Sequence, residues 1–316
     1  MNDDLTKLSP AKINLYLEVL EKTPNGYHNI ESLMTFCDFG DIIRIKKAKN
    51  FKFTIDGPFS KKLSLKDNVV LKSVAFIERL LNKNLNIHIN LTKNLPISSG
   101  MGGGSSNAAT VILCLIEMFN INCKEDFHQS LFSLGADIPF CFFRKSALVT
   151  GKGENVLKIK NNYQNFFVLL VNPLIEISTK KIFEELTIPR RKGFTIFNEK
   201  FLTRAKIIDF LNSKKNDLEK QAITQCEEIK NILYVLKNET NSLLSRMTGS
   251  GATCFALFKN EKDLNSAGAH FQTKLERISA LFLSVYIYYC IPPDDWSIQG
   301  GPGAHMTPLA RARCPP

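Results

Sequence analysis

The residues of this chain best suited to chemistry form a glycine-rich run, PISSGMGGGSSNAA, at residues 96–109. Gly100, Gly102, Gly103 and Gly104 crowd together there, with Pro96 and Ser99 on one side and Ser105 and Ser106 on the other. Lacking side chains, such a stretch lets backbone N–H groups close around an anion that bulkier residues would hold off. A helix starting at its end would add unpaired first-turn N–H groups and the positive end of a dipole, so two separate effects favour negative charge at one place. Phosphate is the matching ligand, and the two serines offer hydroxyls that can donate to it or reach a metal ion. The Walker pattern is absent, because Gly104 is followed by Ser105 where that motif needs lysine. The dinucleotide fingerprint fails too: counted from Gly100 and Gly102, the third glycine position holds Ser105.

Two charged residues are candidates for work on a substrate. Asp137 follows Gly135 in the segment LGADIPF and falls on a turn. A carboxylate there can take a proton from a hydroxyl or hold that hydroxyl in line with a terminal phosphate. An aspartate after a helix-closing glycine is also an ordinary turn residue, and spacing leaves both readings open. Lys12, in SPAKINLYL, sits among apolar strand residues, so it either snorkels outward or serves a site. Periodicity does not choose.

These groups need elements to hold them. Ile13, Leu15, Leu17 and Val19 alternate as one face of a strand, and Ile42, Ile43 and Ile45 begin another. Residues 68–81 repeat apolar side chains at three- and four-residue steps behind Asn68, a suitable N-cap, which predicts a helix. Leu85, Ile87, Ile89 and Leu91 alternate as a strand; the glycine loop follows, and residues 105–119 read as a long apolar helix. A helix over 124–134 is closed by Gly135, placed where a C-terminal cap belongs. Later come a buried strand at 166–171, a charged helix near 213–237, a strand at 254–258 behind a second glycine turn, and a buried strand over 278–291. That last run is too short and too polar to be a membrane span, which needs about 20 apolar residues. Strands and helices mix without regular alternation, so the expected class is α+β. The expected domains are 1–158 and 159–290. Six of the thirteen prolines lie from Pro292 onward, and residues 291–316 read as an irregular tail outside the fold.

The 316 residues carry a formal charge of +11, with 44% hydrophobic and 22% charged residues. That composition fits a conventional globular core, and the charge fits anionic partners without saying which. The basic runs at 44–52 and 190–192 read as solvated surface. Eight cysteines stand singly, with no CxxC pair and no zinc-ligand spacing. This usage is that of reduced thiols in a cytoplasmic protein. The acidic N-terminus lacks the layout of an export signal.

Several separated segments together resemble the GHMP small-molecule kinases, and among them the branch acting on 4-diphosphocytidyl-2-C-methyl-D-erythritol. They are SPAKINL at 9–15, GYH at 26–28, the glycine run at 96–109, LGADIPF at 134–140, NDLE at 216–219 and TGSGAT at 248–253. The match runs from about residue 8 to 258, and GYH with LGADIPF separates this branch from mevalonate, homoserine and galactose kinases. It departs at Asn25 and Asn107, where aspartate is usual, and at Met101, where leucine is usual.

The resemblance implies an N-terminal domain like the second domain of ribosomal protein S5, a C-terminal ferredoxin-like domain, and a site between them. It implies ATP with Mg2+, a small-molecule substrate, no nucleic-acid or membrane partner, and a monomer or homodimer. It makes Asp137 the base or hydroxyl-orienting carboxylate, with Lys12 beside it to stabilise charge moving onto phosphoryl oxygens. Asn14 would help to position the substrate, with Thr179 also on its side of the site. The cytosine would lie between Tyr27 and Phe183, with His28 at its edge. Direct metal ligands are left open. A second GHMP kinase with another acceptor would keep the loop and Asp137 but not need Tyr27 and His28. A non-catalytic RNA-binding protein is the remaining alternative, against which stands the absence of RRM and KH signatures.

Overall fold

The computed structural model describes residues 3–24, 26–123, 127–159, 166–186, 203–277 and 284–289. The first half of the chain gives β1 (Asp4–Lys22), β2 (His28–Lys47), β3 (Lys52–Asp56), α1 (Val69–Leu81), β4 (Ile87–Thr92), α2 (Gly103–Phe119), α3 (Phe127–Ser130), α4 (Ile138–Phe143), β5 (Ala147–Gly151) and β6 (Asn155–Lys158). The second half gives β7 (Phe167–Asn172), α5 (Thr179–Glu184), α6 (Arg204–Asn212), α7 (Glu219–Gln225), α8 (Glu228–Asn238), β8 (Leu244–Met247), β9 (Cys254–Phe258), α9 (Glu261–Arg277) and β10 (Ser284–Tyr289). The class is α+β, as the mixed order of elements requires.

Strand β2 organises the first sheet. β1 runs antiparallel along one edge of it, while β5 and β4 share the other edge, β5 against Ile30–Met34 and β4 against Ile42–Lys47. β3 adds parallel to β4, and β6 antiparallel to β5. One face of this sheet carries Ile43, Ile45, Ile87, Ile89 and Leu91 against α1, α2 and α4. Helix α1 starts where Asn68 Oδ1 accepts from Val70 N at 2.9 Å, the expected cap. Its Val70, Val74 and Ile77 are buried on the sheet with Val111, Ile112, Leu115 and Met118 of α2. Each such side chain contributes about 1.5–3 kcal/mol by leaving water.

The second sheet has the order β10-β7-β9-β8, antiparallel throughout. Both faces of its central strands are covered, which is why 166–171 and 254–258 are continuous apolar runs. Leu169, Val171, Cys254, Ala256 and Phe258 face a cluster with α7, α8 and α9. Val168, Leu170, Phe255 and Leu257 point the other way, onto Ile13, Leu15, Tyr16 and Leu33 of the first sheet and onto α6.

Several sequence expectations change. Ile13, Leu15, Leu17 and Val19 do not share one face: the register shifts between Asn14 and Tyr16, so Ile13 and Leu15 join the cluster between the sheets while Leu17 and Val19 join the one under α7 and α8. An extra residue in one strand reverses the parity of everything beyond it. The second strand begins at His28 rather than Ile42, because its first half is buried on both faces and shows no alternation. The helix near 213–237 is two helices, α7 and α8, parted at Cys226 in extended backbone. The glycine helix starts at Gly103. Gly135 closes a turn through its N–H to Phe132 O at 3.1 Å, but with φ 163° and ψ 145° it is extended rather than left-handed, and 138–143 is helical. The last strand spans Ser284–Tyr289, paired with β7. Residues 124–126, 190–192, 278–283 and 290–316 lie outside the described residues, as does Asn25.

Candidate active site

A cavity of about 910 Å³ gathers most of the residues singled out in the sequence. Pro96, Ser99, Gly100, Gly102, Gly103, Gly104 and Ser105 form one wall. Lys12 and Asn14 reach it from β1, Asp137 from the start of α4, Tyr27 and His28 from the start of β2, and Thr179 and Phe183 from α5. Ser106 is the exception. One residue further round the helix than Ser105, it turns inward, where its Oγ accepts from Ser9 Oγ at 3.0 Å and it is buried. Its hydroxyl serves the join between β1 and α2.

At the centre, Lys12 Nζ lies 3.0 Å from Asp137 Oδ2. The lysine is buried while the carboxylate stands about one-third exposed, so the pair opens to the cavity through the acid. Asp137 occupies the N-cap position of α4 yet makes no capping bond with its side chain, which leaves its oxygens for other partners. Lys12 Nζ also donates to Asn14 Oδ1 at 2.8 Å. Asn14 is fixed in turn: its Nδ2 donates to Ser32 Oγ at 2.8 Å, and its N–H to Thr248 Oγ1 at 2.9 Å. Asparagine is suited to this place because one amide accepts from the lysine while donating to a serine. Thr179 meets Ser250 hydroxyl to hydroxyl at 2.7 Å, and the turn carrying Thr248 and Ser250 is held by Asn216 Nδ2, which donates to Met247 O and Gly249 O, each at 2.8 Å.

The glycine loop is shaped by what it touches. Gly102 has φ +63°, and a Cβ there would stand 2.6 Å from Lys12 Cγ. Gly100 has φ +75°, and a Cβ would meet Thr248 O at 2.3 Å. Both conformation and space therefore demand glycine. Lys12 N–H donates to Met101 O at 3.0 Å, tying the loop to β1. Helix α2 begins immediately after, its first N–H groups without side-chain caps at the cavity wall. Met101, in place of leucine, is fully buried between the sheets, a volume-conserving change.

Beneath the loop lies an ion pair that the sequence did not reveal. Lys93 Nζ is 2.6 Å from Asp41 Oδ2, with both side chains almost wholly buried. Asp41 Oδ1 accepts from the N–H groups of Asn94 and Leu95 at 2.7 and 2.8 Å, and Asn107 Nδ2 donates to Oδ2 at 2.8 Å. Burial pushes the Lys93 pKa down, against the opposing pull of Asp41. Asn107 departs from the usual aspartate to good effect here, since a second carboxylate would face that of Asp41 where the amide donates. Only burial inside the folded sheet marks Asp41 as special; in the sequence it is one acid before an apolar run. Asn68, read as a helix cap, also lines the cavity, as does Lys93.

The far end is aromatic. The His28 and Phe183 rings lie 5.1 Å apart, tilted by 33°. Tyr27 is 60% exposed. Phe183 thus packs on the His28 ring. Partial burial, and then the charge of Lys22, lower the His28 pKa, which favours a neutral ring with one donor and one acceptor.

Among the described residues no group of three or more His, Cys, Asp or Glu is placed to hold a metal, and no helix is long and apolar enough to cross a membrane. Of the six cysteines described, five are buried.

Family profiles for the GHMP kinases N terminal domain and GHMP kinases C terminal match residues 68–145 and 198–277. The 4-diphosphocytidyl-2-C-methyl-D-erythritol kinase of Bartonella tribocorum is 34% identical over 266 residues, covering 82% of this chain and 88% of that protein. That of Sinorhizobium medicae is 36% identical over 273 residues, covering 83% and 89%. In three dimensions the chain resembles the crystal structure of a 4-(cytidine 5'-diphospho)-2C-methyl-D-erythritol kinase, with TM-score 0.71, 21% identity, and 90% and 98% of the two chains covered. A homoserine kinase from Cytophaga hutchinsonii follows with TM-score 0.67, 15% identity, and 91% and 95% covered. The glycine loop, the two-sheet frame and the likeness to these relatives over 82–83% of the chain agree: the chain is a GHMP kinase and belongs to the family of the 4-diphosphocytidyl-2-C-methyl-D-erythritol kinases.

Proposed function

We propose that this chain transfers the γ-phosphoryl group of ATP to the 2-hydroxyl of 4-diphosphocytidyl-2-C-methyl-D-erythritol, giving the 2-phosphate and ADP in the non-mevalonate route to isoprenoid precursors. The observation that carries this reading is a single cavity lined by a helix N-terminus, an aromatic group and the Lys12–Asp137 pair, with the lysine stem against the glycine loop.

Each residue then has a task. The unpaired N–H groups at the start of α2 and the Ser105 hydroxyl hold phosphate oxygens, aided by the helix dipole. Asp137 accepts the hydrogen bond, and then the proton, of the attacking hydroxyl, its side chain paired with Lys12 and taken up by no capping bond. Lys12, held by Asn14, offers positive charge where it builds up on the transferred group. Tyr27, His28 and Phe183 receive the cytosine by stacking and edge hydrogen bonds, and Thr179 bounds the same side.

Mg2+ fits the donors present. Ser105 lines the cavity in the first turn of α2, and nearby Asn107 Oδ1 is buried with no hydrogen-bond partner in the protein. Magnesium takes most of its ligands from phosphates and water and needs only one or two protein oxygens. Ser105 and Asn107 would hold it, and it would neutralise charge on the phosphate oxygens.

The test is acceptor profiling with ATP and Mg2+, offering 4-diphosphocytidyl-2-C-methyl-D-erythritol, mevalonate, homoserine and galactose. A new phosphomonoester signal in 31P NMR is expected with the first alone. Preference for any of the others would overturn the assignment.

A further inference from the structure

The charges on the cavity wall single out Lys152. Of the lysines there, Lys12 is paired with Asp137 at 3.0 Å, Lys93 with Asp41 at 2.6 Å and Lys62 with Glu176 at 3.4 Å. Lys66 is exposed and lies near the start of α1, at the glycine-loop end, where Val69 faces Gly104. Among the described residues Lys152 has no carboxylate within ion-pair distance, and its ammonium lies 5.2 Å from the centroid of the Tyr27 ring.

The backbone holds Lys152 in place. It sits at the tip of the β5–β6 hairpin, where its N–H donates to Glu154 Oε2 at 2.5 Å. The next residue, Gly153, has φ +114°, and a Cβ on it would stand 2.7 Å from Ala136 O. The hairpin therefore rests on the residue before Asp137, while its lysine reaches Tyr27. Lys152 spans the wall between the carboxylate and the aromatic end.

Under the proposed function the nucleoside occupies the Tyr27 end and the reacting hydroxyl lies at Asp137. In such a substrate a diphosphate joins the two, and it must cross this wall. Diphosphate charge drawn into a cleft needs a counter-charge, since an ion losing water without a partner is strongly disfavoured. A lysine ammonium is a compact charge with three donors on a flexible stem, fit to follow a bridge with two phosphates.

We propose that Lys152 is a specificity-determining residue whose ammonium pairs with the diphosphate bridge of a cytidine diphosphate ester. The Tyr27 face holds the ammonium near the cleft before the substrate arrives. Acceptors that lack a diphosphate gain nothing from it. This inference rests on the proposed function for its placing of the nucleoside.

The experiment compares the full chain with Lys152→Met and Lys152→Arg. It measures steady-state kinetics with 4-diphosphocytidyl-2-C-methyl-D-erythritol and the binding of two probes, CDP and cytidine. Lys152 is half-buried at a hairpin tip, so an unchanged thermal midpoint is expected for both variants. In Lys152→Met the substrate KM should rise about tenfold, as for loss of one charge-assisted contact, with kcat and the KM for ATP within about twofold. CDP should lose its advantage over cytidine, and Lys152→Arg should restore most of it. An unchanged substrate KM together with an unchanged CDP preference would overturn the inference. So would loss of that preference in Lys22→Met, beside His28, rather than in Lys152→Met. If the native chain does not phosphorylate the ester, yet prefers CDP through Lys152, the diphosphate site stands and the proposed function fails. If it phosphorylates the ester and Lys152→Met keeps the CDP preference, the inference alone fails.

Discussion

Gly102 and Lys12 share one space: a Cβ on the glycine would stand 2.6 Å from Cγ of the lysine and 2.8 Å from its Cε. The loop proposed to receive phosphate is thus seated directly on the side chain that pairs with Asp137. Neither the loop nor the lysine stem can shift here without the other.

Gly102→Ala would push the Lys12 stem aside and place alanine at φ +63°, a conformation disfavoured by about 1–2 kcal/mol. The expected result is a fall in kcat of about 100-fold, the scale of a 1 Å misplacement, with a melting temperature lowered by only a few degrees. Near-native kcat would show that the contact does not align the site.

Asp41 accepts from Lys93, Asn94, Leu95 and Asn107. Asp41→Ala removes the acceptor for all of them and leaves a buried ammonium without its partner, at a cost of about 3–5 kcal/mol. Lys93→Met leaves the acid with its other donors, so the loss should be smaller. Urea unfolding of the two variants checks the order, and the reverse order would contradict it.

The pKa of His28 lies below the ordinary value of 6.5 through burial first and the Lys22 charge second. A group shifted this way gives its share of stability above 6.5 and loses it as pH falls through the folded value. If the neutral ring binds the cytosine edge, substrate KM is flat near neutrality and rises on acidification, with an inflection below 6.5. Lys22→Met should move that inflection upward. A pH profile of KM reads both, and an inflection at or above the ordinary histidine value would refute the assignment.

Tyr27 is the most exposed ring in the cavity, so removing it costs little packing. Tyr27→Ala should weaken binding of the cytidine substrate by about 1–3 kcal/mol, the range for one base stack, while the KM for ATP stays within about twofold. Equal losses for both ligands would place the nucleoside elsewhere.

Local patterns gave away the local elements. Asn68 before an apolar helix and the glycine run before α2 were readable because cap and loop chemistry act within a few residues. The strand β1 was readable as a strand but not as two faces, since the shift at Asn14 and Tyr16 depends on how β2 pairs with it. Spacing marked Lys12 and Asp137 only separately, and it was the family resemblance that set them side by side. Their 3.0 Å approach is a product of the fold, as is the burial of Asp41 beneath the loop. Ser105 and Ser106 look equivalent in sequence; a helix turn of about 100° per residue sends one to the cavity and the other to the interior. Lys152 carries no sequence signal, because its place at the cavity wall comes from the hairpin resting on Ala136.

The role of Asp137 is tested most directly by ADP release with 4-diphosphocytidyl-2-C-methyl-D-erythritol, ATP and Mg2+, comparing the native chain with Asp137→Asn. Loss of a positioned base predicts a kcat lower by about 10²–10⁴-fold, with the KM for ATP little changed. Equal turnover by both proteins would contradict the account.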